Sequence, residues 1–142
     1  MGHPIPERMR GASILLCVLI TAFSTCSSAA DWKEYFVNIG GVHFSIDSSS
    51  VVNTREGNVR AWERQEWEKE DPKLGRGFLW LIEVDCRQRT YAYKEIVPIK
   101  GTAAAMRMIP WMMEAYGGLN YLQPNDLDEA RYAAICGTSR AK

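Results

Sequence analysis

Residues 78–86 (FLWLIEVDC) are followed, after three polar residues, by residues 90–97 (TYAYKEIV). Large apolar side chains alternate along the first segment, which is typical of a β-strand with one face toward a core. The second segment is expected to return beside the first as a β-hairpin, because the connection is short and polar. The core face of the hairpin carries Phe78, Trp80, Ile82, Val84 and Cys86.

Three earlier segments also predict strands. Residues 32–37 are aromatic and β-branched, and residues 42–47 alternate apolar with polar side chains. Residues 59–68 (VRAWERQEWE) are ambiguous, because a helix with Arg64 and Glu68 paired four residues apart is compatible with them. Turn residues on both sides of this segment favour a strand.

The C-terminal part of the chain predicts a short helix. Asp126 and Glu129 have the spacing of a capping box, apolar residues recur behind them at helical spacing, and Gly137 is expected to stop the helix. Residues 98–118 fit no regular pattern, although part of this segment could form a short helix. We therefore predict an α+β fold, with an antiparallel sheet of five or six strands packed with a helix over residues 127–136.

The first thirty residues have the composition of an export signal. Two arginines precede an uninterrupted apolar run at residues 14–23 (ILLCVLITAF), and a tract of small residues follows it. We interpret residues 1–30 as a signal peptide cleaved before Asp31, and residues 31–142 as one domain; a buried core helix is the alternative. No run reaches the roughly 18 to 20 apolar residues of a transmembrane helix. The periplasm, the outer membrane or the cell surface is the expected location.

The four cysteines divide between the two parts of the chain. Cys17 and Cys26 lie in the first thirty residues, and Cys86 and Cys136 remain in the domain. An oxidising compartment favours a disulfide between the remaining pair; two buried thiols are the alternative. Cys26 is a candidate for a lipid anchor, although the residues before it match a lipid attachment site poorly.

The balance of charged residues limits the classes of partner that the domain is expected to bind. Lys and Arg total 17 and Asp and Glu total 17; without two arginines and one glutamate of residues 1–30, the domain keeps 15 basic and 16 acidic side chains. This balance has no basic excess for binding nucleic acid. Acidic residues cluster near one another but alternate with basic ones, which favours a solvated edge strand over a calcium site. The acidic residues are Glu63, Glu66, Glu68, Glu70 and Asp71.

A catalytic or metal site is not expected. His43, Ser45 and Asp47 resemble a triad in order, but alternate residues of one strand lie about 7 Å apart, whereas a working triad needs contacts near 3 Å. An exposed strand face is the better interpretation. One histidine and two paired cysteines cannot form a conventional zinc site. We therefore expect that the protein is not an enzyme and binds no cofactor.

A methionine-rich segment is the candidate for binding a partner. Its residues are Met106, Met108, Trp111, Met112 and Met113. Flexible, polarizable methionines suit adaptable binding surfaces. The alternative, which we favour, is that these side chains cover the sheet.

Several short motifs occur in a distinctive order. They are FSID at residues 44–47, VRAW at 59–62, EVDC at 83–86, and a final segment that ends at Cys136. In this order the chain resembles, over residues 31–137, the bacterial surface-adhesin protein E family of exported proteins in Gram-negative bacteria. The resemblance implies an antiparallel sheet packed on a helix with one disulfide. It implies adhesion to host or matrix proteins only for the founding pathogen members.

Two features depart from this family. Segment 98–118 is longer than the usual link, and Leu119 stands where many relatives have tryptophan. No binding residue can be transferred from the family.

These observations predict an exported, noncatalytic envelope or surface protein that binds a macromolecular partner, either a protein or a matrix component. A periplasmic structural or accessory role without adhesion is the first alternative. A small-ligand binder or an enzyme is the second. The sequence leaves open whether the chain forms a homodimer.

Mass spectrometry of the processed protein tests the export signal. We expect the mature chain to begin with an unmodified Asp31, because the small residues before it fit a signal-peptidase site. A lipid-modified Cys26 at the N-terminus would contradict this cleavage site, and a chain that still begins at Met1 would contradict export.

Overall fold

The structure is a computed structural model that describes residues 29–139. Apart from its last two residues, the predicted signal peptide lies outside the described residues, as does the candidate lipid site Cys26. Within residues 29–139, no helix is long and apolar enough to cross a membrane.

The described residues form an α+β fold with one antiparallel sheet and two α-helices. The strands are β1 (Trp32–Val37), β2 (Val42–Asp47), β3 (Val52–Asn53), β4 (Val59–Asp71), β5 (Gly75–Asp85), β6 (Thr90–Ile99) and β7 (Asn120–Tyr121). The helices are α1 (Ala103–Tyr116) and α2 (Asp126–Ser139), and a single 3₁₀ turn spans Ser48–Ser50. The strands lie in the order β1-β2-β4-β5-β6-β7, and β3 pairs with β4.

The predicted fold class is confirmed, and the sheet has seven strands instead of five or six. The two additional strands, β3 and β7, have two residues each, too few to produce a recognisable alternation. The ambiguous segment at residues 59–68 is a strand, as the flanking turns indicated. It lies between β2 and β5, so the prediction of an edge strand is wrong.

The hairpin of β5 and β6 supplies much of the core. Trp80 lies opposite Ile96, and Ile82 lies opposite Tyr93. All four of these side chains are buried in one hydrophobic cluster, together with Val84 of β5. The period-two alternation of β5 therefore selects the core face that its sequence predicts.

Helix α1 occupies the segment that fits no regular pattern. Thr102 begins the helix, because its Oγ1 accepts a hydrogen bond from the Ala105 backbone N–H at 3.2 Å. Pro110 lies inside the helix and cannot donate a backbone hydrogen bond to the preceding turn. The sequence predicts no helix of this length because proline usually ends one. Here Ala105 and Met112 are buried, so packing on the sheet compensates for the lost hydrogen bond.

Helix α2 begins differently from its predicted capping box. The side-chain oxygen of Asn125 accepts a hydrogen bond from the Asp128 N–H at 2.9 Å. Glu129 pairs with Arg89 of the turn between β5 and β6, so the assignment of Asp126 and Glu129 as a reciprocal cap is wrong. Gly137 does not stop the helix, because α2 continues to Ser139.

A disulfide joins Cys86, at the end of β5, to Cys136 in α2, with the Cα atoms 5.8 Å apart. The predicted pairing is confirmed. Tyr132, one turn earlier in α2, donates a hydrogen bond to the Cys86 backbone oxygen at 3.2 Å. The helix is thus attached to the end of β5 by a covalent bond and a hydrogen bond.

Replacing both cysteines by alanine tests the contribution of the disulfide to stability. The bond spans 50 residues, and the chain-entropy model assigns such a closed loop about 4 kcal/mol. We expect the double variant to lose roughly that amount in denaturant unfolding, and the reduced natural protein to behave like it. An unchanged free energy of unfolding in both samples would contradict this.

Candidate functional site

A buried ion cluster joins α2 to the middle of the sheet. Arg131 of α2 donates from Nε to Glu63 Oε2 of β4 at 2.8 Å, and from Nη1 to Asp128 Oδ1 at 2.7 Å. The side chains are almost inaccessible to solvent: 3% of Arg131, none of Glu63 and 9% of Asp128 is exposed. Charged groups this deeply buried are rare in proteins unless they are paired.

Further hydrogen bonds satisfy the charged groups of this cluster. Glu63 accepts from Tyr35 Oη at 2.7 Å and from Gln65 Nε2 at 2.6 Å. Arg131 Nη2 donates to Tyr93 Oη at 3.2 Å. A buried ion pair is tolerated only when its remaining donors and acceptors find such partners.

The cluster also controls proton binding by its neighbours. Burial, reinforced by the negative charge of Glu63, raises the pKa of Tyr35 and of Tyr93 well above the ordinary value for tyrosine. Burial opposes the charge of Arg131, but the attraction of Glu63 acts in the other direction, and the pKa of Arg131 is raised well above its ordinary value. Both phenols therefore stay protonated and Arg131 stays charged near neutral pH.

The position of Glu63 corrects a prediction. The acidic residues around it were expected to form a solvated face, and Glu63 is instead fully buried. Val59, Ala61 and Glu63 are alternate residues of β4, and all three face the core. Extending this alternation would have placed Glu63 inside. Glu66, by contrast, pairs with Arg76 and Arg64 at positions with more exposure.

Beside the ion cluster lies a cleft of about 420 Å³ between the sheet and the two helices. We call it the aromatic cleft. It is lined by Phe44, Gln65, Trp80, Tyr91, Tyr93, Met112, Tyr116, Asn125, Leu127, Asp128 and Arg131. Five of these residues are aromatic, and two belong to the ion cluster. The cleft therefore combines apolar ring surfaces with polar groups at one wall.

The aromatic rings form a continuous series from the core to the surface. The ring centroids of Tyr93 and Trp80 are 4.5 Å apart, those of Trp80 and Tyr116 are 6.4 Å apart, and those of Tyr116 and Trp111 are 6.2 Å apart. Tyr93 and Trp80 are buried, whereas Tyr116 and Trp111 are about half exposed. Trp80 Nε1 is buried and has no hydrogen-bond partner among the described residues.

The candidate residues for partner binding divide into two groups. Met106 and Trp111 are exposed, whereas Met112 is buried and Met108 and Met113 pack against the core. Three of the five side chains thus help to cover the sheet, which is the alternative that the sequence favoured. A binding role for the two exposed residues stays a prediction.

The triad-like string does not assemble. Ser45 and Asp47 are buried, so the prediction of an exposed strand face is wrong for these two residues. His43 Nδ1 lies 2.7 Å from Glu34 Oε2 on the neighbouring strand. Asp47 Oδ1 accepts from the backbone N–H groups of Asp31 and Ser49, so this carboxylate caps local backbone. Within residues 29–139, no group of three or more His, Cys, Asp or Glu side chains is arranged to hold a metal ion.

Comparisons of the chain with protein-family models, with curated proteins and with solved structures found no match. The resemblance to the surface-adhesin protein E family therefore stays a hypothesis that depends on the order of the motifs.

Replacing Arg131 by methionine tests the ion cluster. The substitution leaves Glu63 charged and buried without its cation, and such a change typically costs about 3–5 kcal/mol. We expect a loss of that size in the free energy of unfolding, measured with denaturant.

Arg89→Met is the matched control, because Arg89 pairs with Glu129 of the same helix but at the surface. An exposed ion pair contributes about 0–1 kcal/mol, and the guanidinium of Arg89, 4.4 Å from the centroid of the Tyr132 ring, adds a cation–π contact of about 0.5–1 kcal/mol. Equal losses in the two variants would show that the buried cluster contributes no more than a surface ion pair.

Proposed function

We propose that this protein is an exported, noncatalytic binding protein of the envelope or cell surface, which attaches to a polypeptide partner in the manner of an adhesin. The observation that carries the proposal is a group of exposed side chains after the start of α1. Met106, Trp111, Leu119 and Tyr121 are 56%, 58%, 67% and 65% exposed. We call these four residues the α1 surface.

The exposed hydrophobic residues are concentrated in one segment. Nine large hydrophobic residues of the described chain are strongly exposed, and five of them, Tyr116 included, lie within residues 106–121. The other four are spread over different strands and turns. Single exposed apolar residues are normal in proteins, whereas a contiguous apolar patch marks an interaction site. The rings of Trp111 and Tyr116 are neighbours, with centroids 6.2 Å apart, and the proposal takes the other exposed residues of this segment to extend the same patch.

The chemistry of the α1 surface favours a protein as the occupant. Tryptophan, tyrosine and methionine are enriched at protein interfaces, and tryptophan and tyrosine contribute most of the binding energy at many of them. The only charged residues of α1 are Arg107 and Glu114, which balance each other. A polypeptide with exposed apolar side chains would therefore complement this surface better than a strongly charged polymer.

The backbone behind the α1 surface is well supported. Met112 and Ala105 fix α1 on the core, and β7 pairs with β6 at Tyr121 and Asn120. The Leu122 N–H also donates to the Arg89 backbone oxygen at 2.9 Å. A surface that is already ordered loses less conformational entropy when it binds.

Export is the other part of the proposal. It rests on the signal-like composition of residues 1–30 and is supported by the Cys86–Cys136 disulfide, since such bonds persist mainly in oxidising compartments. A periplasmic accessory protein with an envelope partner would use the same surface. The two versions differ in whether the α1 surface faces the outside of the cell.

Site-specific photocrosslinking tests the α1 surface. A photoreactive phenylalanine analogue replaces Trp111 in the full chain, produced in its own cells, and the control carries the analogue at Ile39, which is fully exposed in the β1–β2 turn. We expect a discrete crosslinked polypeptide only from position 111. Binding of that purified polypeptide should then weaken at least tenfold in the Trp111→Ala variant, because a buried tryptophan anchor commonly contributes about 2 kcal/mol or more.

Equal crosslinking from both positions, or unchanged affinity of Trp111→Ala, would contradict the proposal. Protease treatment of intact cells separates its two versions. Loss of the crosslinked complex indicates a cell-surface adhesin, and its survival indicates a periplasmic accessory protein.

A further inference from the structure

We propose that the aromatic cleft is a second binding site, specific for a neutral sugar ring. This inference goes beyond the proposed function, because the cleft opens between the sheet and the helices and does not require a partner on the α1 surface. Its volume of about 420 Å³ lies within the range of small-ligand sites, which is about 300–1,000 Å³.

The cleft presents several aromatic ring faces to a ligand. Phe44, Trp80, Tyr91, Tyr93 and Tyr116 line the cleft, and the face of an aromatic ring carries partial negative charge. The C–H groups on one side of a sugar ring are weakly positive and pack against such faces. Tyr116 is the accessible ring, because it is 47% exposed and stands edge-on to Trp80 with the ring planes at 81°.

The charged groups of the cleft are already paired with one another. Arg131 is engaged with Glu63, Asp128 and Tyr93. Asp128 Oδ2 accepts from the Gln123 N–H at 2.9 Å and from Asn125 Nδ2 at 3.2 Å. The charged groups are thus directed at one another and not at a ligand.

The paired charges of the cluster leave little uncompensated charge to attract a strongly charged ligand. The two carboxylates and one guanidinium of the cluster have a formal charge of −1, part of which the N-terminus of α2 offsets. This opposes an anion. At the wall itself Arg131 and Asp128 carry opposite charges and are paired with each other, so neither of them strongly attracts a cation or an anion. A neutral ligand is favoured.

The neutral groups of the cleft keep hydrogen-bond donors that a ligand can use. Tyr93 Oη accepts from Arg131 and from Gln65, which leaves its own proton to donate. Asn125 Nδ2 uses one of its two N–H groups on Asp128. Phenol and amide groups of this kind both donate and accept, and the ligand groups that match them are hydroxyls, which a sugar carries on every side.

Trp80 adds one unmet donor at the floor of the cleft. Its Nε1–H is buried without a hydrogen-bond partner in the described part of the chain, and leaving a buried donor unpaired is unfavourable. The proposal assigns a sugar oxygen as the acceptor of this group, which requires the indole of Trp80, a lining residue of the cleft, to turn its Nε1–H toward the cleft. Ligand binding would then relieve a cost that the unbound protein bears.

The test uses the processed protein purified from its own cells, with calorimetry and tryptophan fluorescence as readouts. The probes are methyl β-glucoside, N-acetylglucosamine, cellotetraose and, as the charged comparison, glucuronate. We expect at least one neutral sugar to bind with a dissociation constant of about 10 mM or lower, and glucuronate to bind at least tenfold more weakly. Tighter binding of cellotetraose than of the single-ring sugars would indicate a polymeric glycan as the source, and equal binding a free sugar.

Three variants locate the site. Tyr116→Ala should weaken the binding of the best neutral sugar at least tenfold, and Tyr116→Phe should restore it to within about threefold, because it keeps the ring. Tyr121→Ala is the control, since Tyr121 belongs to the α1 surface and does not line the cleft; it should leave sugar binding unchanged.

Three results would overturn the inference: no saturable binding of any neutral sugar up to 50 mM, equal binding of glucuronate, or full binding by Tyr116→Ala. None of them bears on the polypeptide partner, whose failure would show as unchanged partner affinity of the Trp111 variant. The two proposals therefore fail separately.

Discussion

The packing of α2 on the sheet depends on Arg131, which is held between Glu63 of β4 and Asp128 of its own helix. If the helix moved away, Glu63 would be left as a buried carboxylate without its cation, and the cost of that state resists any displacement. Five residues further on, Cys136 is bonded to the end of β5. One helix is thus attached at two points to two neighbouring strands, which fixes both its position and its rotation.

This attachment determines the shape of the aromatic cleft. Arg131, Asp128 and Leu127 form the wall contributed by α2, and Met112 and Tyr116 form the wall contributed by α1. Between them the floor is the row of rings on β5 and β6. A salt bridge of this kind need not add to net stability compared with apolar residues. Here the positions of Glu63 and Asp128 select where Arg131, and with it the helix, lies. In this protein the selected arrangement leaves space between two helices instead of filling it.

Much of the fold follows from local sequence. The alternation in residues 78–86 predicts β5 because its apolar side chains have a period of two, and the same pattern predicts β2. The aromatic and β-branched content of β1, the turns around β4 and the short polar connection before β6 predict the other three long strands. Strands β3 and β7 are too short for any period to appear. The length of α1 is hidden by Pro110, since local propensity opposes a helix that burial of Met112 supports. The cap of α2 moves by one residue because Asn125 is as good a cap as Asp126.

The candidate site is harder to predict from local sequence than the fold is. The sequence predicts Glu63 at the surface, because isolated charges are almost never buried. Its partner Arg131 lies 68 residues later in the chain, so no local pattern reveals the pair. Only the alternation of Val59 and Ala61 in β4, extended by two residues, predicts that Glu63 faces the core. The rings of the cleft come from β2, β5, β6 and α1, so their convergence is a property of the tertiary structure that no short motif encodes.

The exchange rate of the Arg131 side-chain Nε–H with water, measured by NMR on the intact protein, tests the central role of the buried cluster most directly. The account predicts that the Arg131 resonance exchanges more slowly than those of the exposed arginines by on the order of 100-fold or more, because exchange requires α2 to open. Exchange of Arg131 at the rate of Arg60 or Arg89 would show that the ion pair is open to solvent and would contradict the account.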